Sequence, residues 1–220
     1  LSGGGGVGTF GGSEDQTAIL CSRPRQLNRY SYAPVRLEGR EPWPSDWSLV
    51  VAVSGVRASK AGRQKDSYNR LSLLASSAVE VWNRATGSKA LHLAEVLKEA
   101  DSGEVRTVLG AQDHRSFSRR ELCRRLDHFV EESEGIVPAA WTAISGADEE
   151  IFGRLCARSQ SLAEELLDNQ VRETSFLARE ATEQGAFAAS AFGAGFGGSV
   201  WAAVPRGEAP EFLDRWPKRY

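Results

Sequence analysis

Apolar residues recur along this chain with two different periods, and the change from one to the other predicts its elements. A nine-residue segment at 13–21 opens on Ser13, with Gln16 three residues on, and reads as a short helix started by a capping box. Residues 28–37 alternate loosely through Tyr30, Tyr32, Val35 and Leu37, which predicts a strand or two. Residues 38–46, with Pro42 and Pro44, predict a turn-rich connection. The run Leu49-Val50-Val51-Ala52-Val53 predicts a buried strand, halted by Ser54-Gly55. Residues 57–65 are basic and polar and predict a mobile loop.

From about Asp66 to Ala85 the period becomes helical, through Leu71, Leu74, Ala75, Ala78, Val79 and Trp82, with Gly87 as the stop. A short helix follows at 91–99, and residues 101–117 read as irregular. Ser118 and Glu121 form a second capping box. Behind it Leu122, Leu126, Phe129, Val130, Trp141 and Ile144 mark one face of a long helix that Pro138 should kink. Asp148 and Thr174 are placed to cap two further helices, the second ending at Gly185. The pattern then changes to a strand at 186–192, a glycine turn at 193–198, a strand at 199–204, and a helix from Glu208. Strand, helices and hairpin in that order, without internal repeats, predict an α+β fold. Trp82 and Trp141 read as core residues.

Composition narrows the function classes. With 220 residues and a net charge of -2, the chain has no nucleic-acid footprint. No apolar run is long enough to span a bilayer. There is no signal-peptide pattern, and three widely spaced cysteines fit reduced cytosolic thiols, so a cytoplasmic protein is expected. No Cys/His cluster has metal-ligand spacing. Methionine is absent and the chain begins with Leu1, from which an internal piece of a longer protein is expected.

Two stretches carry candidate chemistry. In Gly11-Gly12-Ser13-Glu14-Asp15-Gln16, Asp15 falls in the first helical turn, where unpaired N–H groups and the helix dipole favour its ionised form. A charged carboxylate there could orient or deprotonate a hydroxyl, or could simply stabilise the helix start. In Gly193-Ala194-Gly195-Phe196-Gly197-Gly198 the glycines would let backbone approach a ligand and expose N–H groups to an anion, or serve as a flexible hairpin. Two glycine runs match G-x-G-x-x-G, one at Gly6, Gly8 and Gly11 and one at Gly193, Gly195 and Gly198, but the first lacks a strand before it, the second leads into a strand rather than a helix, and no Gly-Lys-Ser/Thr follows. Tyr68 could project a phenol into a cleft or belong to an ordinary amphipathic surface, and Lys60, Arg63 and Lys65 could attract phosphate or form a solvated loop.

Taken together these stretches resemble the GHMP kinases (galactokinase, homoserine kinase, mevalonate kinase and phosphomevalonate kinase). Gly12 to Gln16 is similar to the segment that carries the catalytic aspartate of galactokinases. Phe192 to Val200 is similar to the third conserved motif of the wider family. Val50 to Arg57, followed by Tyr68-Asn69-Arg70, resembles its strand, its loop and the tyrosine opening the next helix. The resemblance implies the C-terminal part of a two-lobed α+β kinase, a mixed sheet with a helical bundle and a glycine-rich hairpin. Residues 1–47 would be a remnant of the N-terminal lobe, and residues 48–220 the C-terminal domain, truncated at its end. The implied reaction moves the γ-phosphoryl group of ATP to a sugar hydroxyl, at C1 for galactose.

Asp15 would act on that hydroxyl, Gly12 and Tyr68 would bind the sugar, and Gly193, Gly195, Gly197 and Gly198 would border the transferring phosphate. ATP and Mg²⁺ are the implied cofactors. The family's Gly-Leu-Ser-Ser loop and its Arg-x-x-x-Gly-Glu-His segment are absent from this sequence, as are most of the expected Mg²⁺ ligands, so the piece alone is expected to be inactive. Ser13-Glu14 also replaces the more usual apolar pair, and the loop from Ser59 to Ser67 is longer than in typical galactokinases. A non-catalytic sugar sensor of the same fold, and a kinase with another small-molecule acceptor, are the competing expectations.

Overall fold

The computed structural model describes Phe10, Gly12, residues 14–58 and residues 62–220, without the side chains of Asp15, Gly62, Arg63 and Gln64. Ser13 and Gly11 lie outside the described residues, as do the first glycine run and Lys60. Helix α1 (Glu14–Cys21) leads into a hairpin of β1 (Gln26–Tyr32) and β2 (Val35–Pro42). The expected turn-rich connection is therefore partly strand, because β2 continues through Arg40 and Glu41 to pair with β1. The hairpin is seated by Gly39, where a Cβ would come within 2.8 Å of the Trp141 ring. The Arg29 guanidinium lies 5.4 Å from that same ring.

Strand β3 (Trp47–Val53) belongs to a three-stranded antiparallel sheet ordered β3-β5-β4, in which β4 (Ala188–Ala191) and β5 (Ser199–Pro205) are the arms of the glycine hairpin. Alternation along β5 defines the layers. Val200, Ala202 and Val204 face α8 (Arg172–Glu183) and α9 (Ala209–Arg215), packing on Leu177, Ala181, Phe212 and Trp216. Ala203 faces the opposite layer with Trp47, where Phe152 stacks on Trp47 at 5.4 Å. That layer is built by α6 (Val137–Ser145) and α7 (Glu149–Leu162).

The expectation that the β3 run is buried needs correcting. Leu49, Val51 and Val53 are 53%, 52% and 71% exposed. β3 is an edge strand among the described residues, and α6 and α7 cover only its Trp47 end.

A helical bundle forms the second core. Helix α2 (Gly62–Thr86) starts four residues before the predicted point, so the end of the expected loop is helix. It packs with α3 (Leu93–Glu99), α4 (Ser102–Ala111) and α5 (Arg119–Val130) around Trp82, Val96, Leu109, Leu122 and Leu126. The sequence predicts irregular chain where α4 stands. Its glycines, Gly103 and Gly110, hide the pair Val105 and Leu109, one turn apart and both buried. Asp101 caps it, accepting from the N–H groups of Gly103 and Glu104.

The capping box of Ser118 and Glu121 forms as predicted. Where a kink at Pro138 is expected, α5 continues into a widened π turn over Glu131–Ile136, in which Val137 N–H donates to the carbonyl five residues back. Asp148 caps α7, accepting from Ile151 N–H at 2.9 Å. Thr174, by contrast, is not the cap residue of α8. It lies inside the first turn, and its hydroxyl accepts from Val171 N–H at 3.2 Å. Trp82 is core, as read, whereas Trp141 is half-buried beneath the hairpin.

Burial, then the neighbouring Arg125 charge, lowers the pKa of His128 from 6.5 to about 4, with Glu131 opposing. Between those values the unfolded chain binds a proton that the folded chain refuses, so stability falls as pH drops through that window. Urea midpoints at pH 7.5 and pH 5 should therefore differ less in His128→Phe than in the parent protein, and an unchanged gap contradicts this origin. Leu122→Ala should destabilise by about 2–5 kcal/mol in the same assay, since the fully buried side chain leaves a cavity.

Candidate active site

Three distant parts of the chain meet around one cleft of about 1000 Å³. Phe10, Gly12 and Glu14 border it from the start of α1, Tyr68 from α2, and Phe192 to Ser199 from the glycine hairpin. Val51 on the open face of β3 lines it as well, which accounts for one of the apolar positions left uncovered on that strand. The segment before α1 is tied to α2 by Phe10 N–H, which donates to Asn69 Oδ1 at 2.8 Å. Gly12 packs against Tyr32, whose ring would come within 2.3 Å of any Cβ there. Asp15 occupies the second position of α1, following two residues that border the cleft, and its side chain lies outside the described residues.

The hairpin loop has an unusual backbone. Gly193, Gly195, Gly197 and Gly198 all have positive φ, and so does Phe196 at 62°. Two of the glycines are required by close approach. A Cβ on Gly195 would meet the Asn169 carbonyl oxygen at 2.1 Å, and one on Gly197 would meet the Val56 carbonyl oxygen at 2.6 Å. Asn169 holds the loop from beneath: its carbonyl accepts from Phe196 N–H at 2.5 Å, and its side-chain amide donates to the Ala194 carbonyl at 3.0 Å. Val56 holds the far end through Gly198 N–H at 2.8 Å.

Gly193 is different, because nothing lies within 4 Å of a Cβ placed there. Part of the glycine signal is thus packing, and Gly193 leaves open space at the cleft.

Gly12, Tyr68 and the hairpin glycines all line this one cleft. Lys65 does not line the cleft, and neither Lys60 nor the Arg63 side chain is among the described groups. Sequence reasoning missed Asn169, Tyr32 and Arg125. Arg125 lines the cleft from α5, and its Nε and Nη1 are buried without a hydrogen-bond partner among the described residues. Among those residues no group of three His, Cys, Asp or Glu side chains could hold a metal. Cys123 and Cys156 are buried, Cys21 is exposed, and burial pushes the Cys156 thiol up to about 12. No helix among the described residues is long and apolar enough to cross a membrane.

Residues 142–220 match the family model described as GHMP kinases C terminal. The fold is similar to that of Lactococcus lactis galactokinase, in a crystal structure of its complex with galactose. That match has a TM-score of 0.75 and 20% identity, and covers 96% of this chain and 51% of that one. L. major mevalonate kinase, in complex with R-mevalonate, matches at a TM-score of 0.46 and 16% identity, over 82% of this chain and 41% of that one. No curated protein matches by sequence.

The family model covers about the last third of the chain, and the architecture resembles that of a GHMP kinase C-terminal region. In particular it is galactokinase-like, and the chain spans about half the length of the galactokinase it resembles.

Removing the grip on the loop should be visible without any ligand. Gly195→Ala should lower the thermal midpoint by several degrees, because its Cβ has no space and its φ is +78°. Gly193→Ala meets no neighbouring atom and should cost less. Equal losses in the two variants would contradict the packing assigned to Gly195.

Proposed function

We propose that this chain is part of an ATP-dependent small-molecule kinase, with a sugar hydroxyl as acceptor and galactose C1 as the best-supported position. The observation that carries the reading is the convergence of Gly12, Tyr68 and the hairpin glycines on one cleft from three separate parts of the sequence. The crystal structure it resembles holds galactose, which favours a sugar over other acceptors. Residues 1–47 then supply part of the acceptor side, and residues 48–220 the C-terminal domain.

In this reading the Asp15 carboxylate orients the attacking hydroxyl and accepts its proton as the oxygen bonds to the γ-phosphorus and the bond from that phosphorus to the bridging oxygen breaks, releasing ADP. Tyr68 hydrogen-bonds the sugar, and Gly12 contacts it through backbone. The loop from Gly193 to Gly198 borders the phosphate, where Gly193 leaves space for close approach. Bound ATP with Mg²⁺ supplies the phosphoryl group and its charge neutralisation. The described residues offer no ligand set for the metal. Catalysis of this kind rests on positioning and charge, so a rigid backbone with one fixed acid is a suitable contribution.

In the full-length protein, Asp15→Ala should lower kcat by orders of magnitude while the Kd for ATP changes less than about threefold. Tyr68→Phe should raise KM for the sugar about tenfold, the loss of one good hydrogen bond. Steady-state kinetics with galactose and ATP decide both. Near-normal turnover in Asp15→Ala would overturn the role of Asp15. Absence of turnover in the parent protein, with galactose still bound, would identify a sensor instead.

A further inference from the structure

Among the described residues, five ionisable side chains line the cleft: Glu14, Glu38, His92, Lys98 and Arg125. Glu38 is paired with Arg29 at 3.1 Å, and His92 lies 3.6 Å from Glu95. Glu14 and Lys98 are exposed to water. Arg125 alone among them combines a place on the wall with buried nitrogens, Nε and Nη1, that have no partner among the described residues. A guanidinium keeps its charge and carries five N–H donors, and burying such donors unsatisfied is costly. A fold keeps an arrangement of that kind most readily when a ligand completes it.

The surroundings fix where Arg125 is held on the cleft wall. On α5, Arg125 and Phe129 are one turn apart and both line the cleft, while Leu122 and Leu126 are buried in the bundle core. Next to it, Arg124 donates to the Glu165 carbonyl and so ties α5 to the π turn (Ala163–Leu167) that follows α7. From there the chain passes through Asp168, at φ 53°, to Asn169, which grips the glycine loop. Arg125 and the loop are thus held in one frame. His128, whose Nδ1 is also unpartnered among the described residues, stays neutral near pH 7 and adds no second positive charge.

We propose that Arg125 is the anion-recognising group of this cleft, donating to the oxygens of a phosphate or carboxylate on the bound ligand. This deepens the kinase reading, since it makes the molecule in the cleft a charged one during at least part of the cycle. It rests on that reading for the identity of the sugar, and on the unpartnered guanidinium for the charge.

Calorimetry on the full-length protein tests it with three probes, galactose, galactose 1-phosphate and galacturonate, against Arg125→Met and Arg125→Lys. At least one anionic probe should bind, and Arg125→Met should weaken it at least about tenfold while galactose shifts less than about twofold. Arg125→Lys should restore part of the loss, and it serves as the test variant if Arg125→Met does not fold. Arg125→Met itself should melt no lower than the parent, because it removes a buried unpaired charge.

Loss confined to galactose 1-phosphate assigns the contact to a phosphoryl group, and loss confined to galacturonate to an acceptor carboxylate. Unchanged anion binding in the variants, no anion binding in the parent, or an equal loss for neutral galactose overturns the proposal. Arg125-dependent anion binding in a protein that neither binds nor phosphorylates galactose would sink the galactose reading and leave this one standing.

Discussion

The cleft depends on the hold that Asn169 has on the glycine hairpin. One carbonyl and one side-chain amide of Asn169 satisfy the Phe196 N–H and the Ala194 carbonyl, and Gly195 lies so close that no Cβ could fit. Buried backbone groups must find partners, and a loop with five successive or near-successive left-handed residues has few of its own to offer. Asn169, in the connection between α7 and α8, supplies them. The loop is thereby fixed relative to the helical layer, while Gly198 and Val56 fix it relative to the sheet.

That double attachment links the two cores. The sheet core forms around Val200, Phe212 and Trp216, and the bundle core around Trp82, Leu109 and Leu122. The cleft is bordered by the open face of β3, by α2 and α5 of the bundle, and by the hairpin. Each layer is stabilised by its own apolar burial. The polar contacts between them are few but specific, and this lets a site be built at the seam.

Legibility in the sequence followed the range of the interactions that decide each element. Helix α2, the cap at Asp148 and the box at Ser118 were readable because period and capping are local. The hairpin was readable from its glycines, although what they approach was not: the partners, Asn169 and Val56, are distant in sequence. Helix α4 was hidden by Gly103 and Gly110, whose cost is offset by tertiary burial of Val105 and Leu109. The exposure of Leu49, Val51 and Val53 was hidden as well, since an apolar strand reads the same in the middle of a sheet and at its edge. Arg125 sits in the run Arg119 to Arg125, where four of seven residues are arginine, and sequence cannot separate a buried guanidinium from solvated neighbours. Gly12 was found through a family resemblance, and Tyr68 stood out locally only as a phenol near the start of a helix until that resemblance gave it a role.

The central claim is that the acid at the mouth of α1 and the hairpin from the other end of the chain serve one bound sugar. A crystal structure of the full-length protein with galactose tests it most directly. The account predicts the Asp15 carboxylate within about 2.6–3.2 Å of the sugar C1 hydroxyl, with that hydroxyl facing the loop from Gly193 to Gly198. Galactose seated elsewhere, or an Asp15 carboxylate separated from the loop by packed side chains, would contradict it.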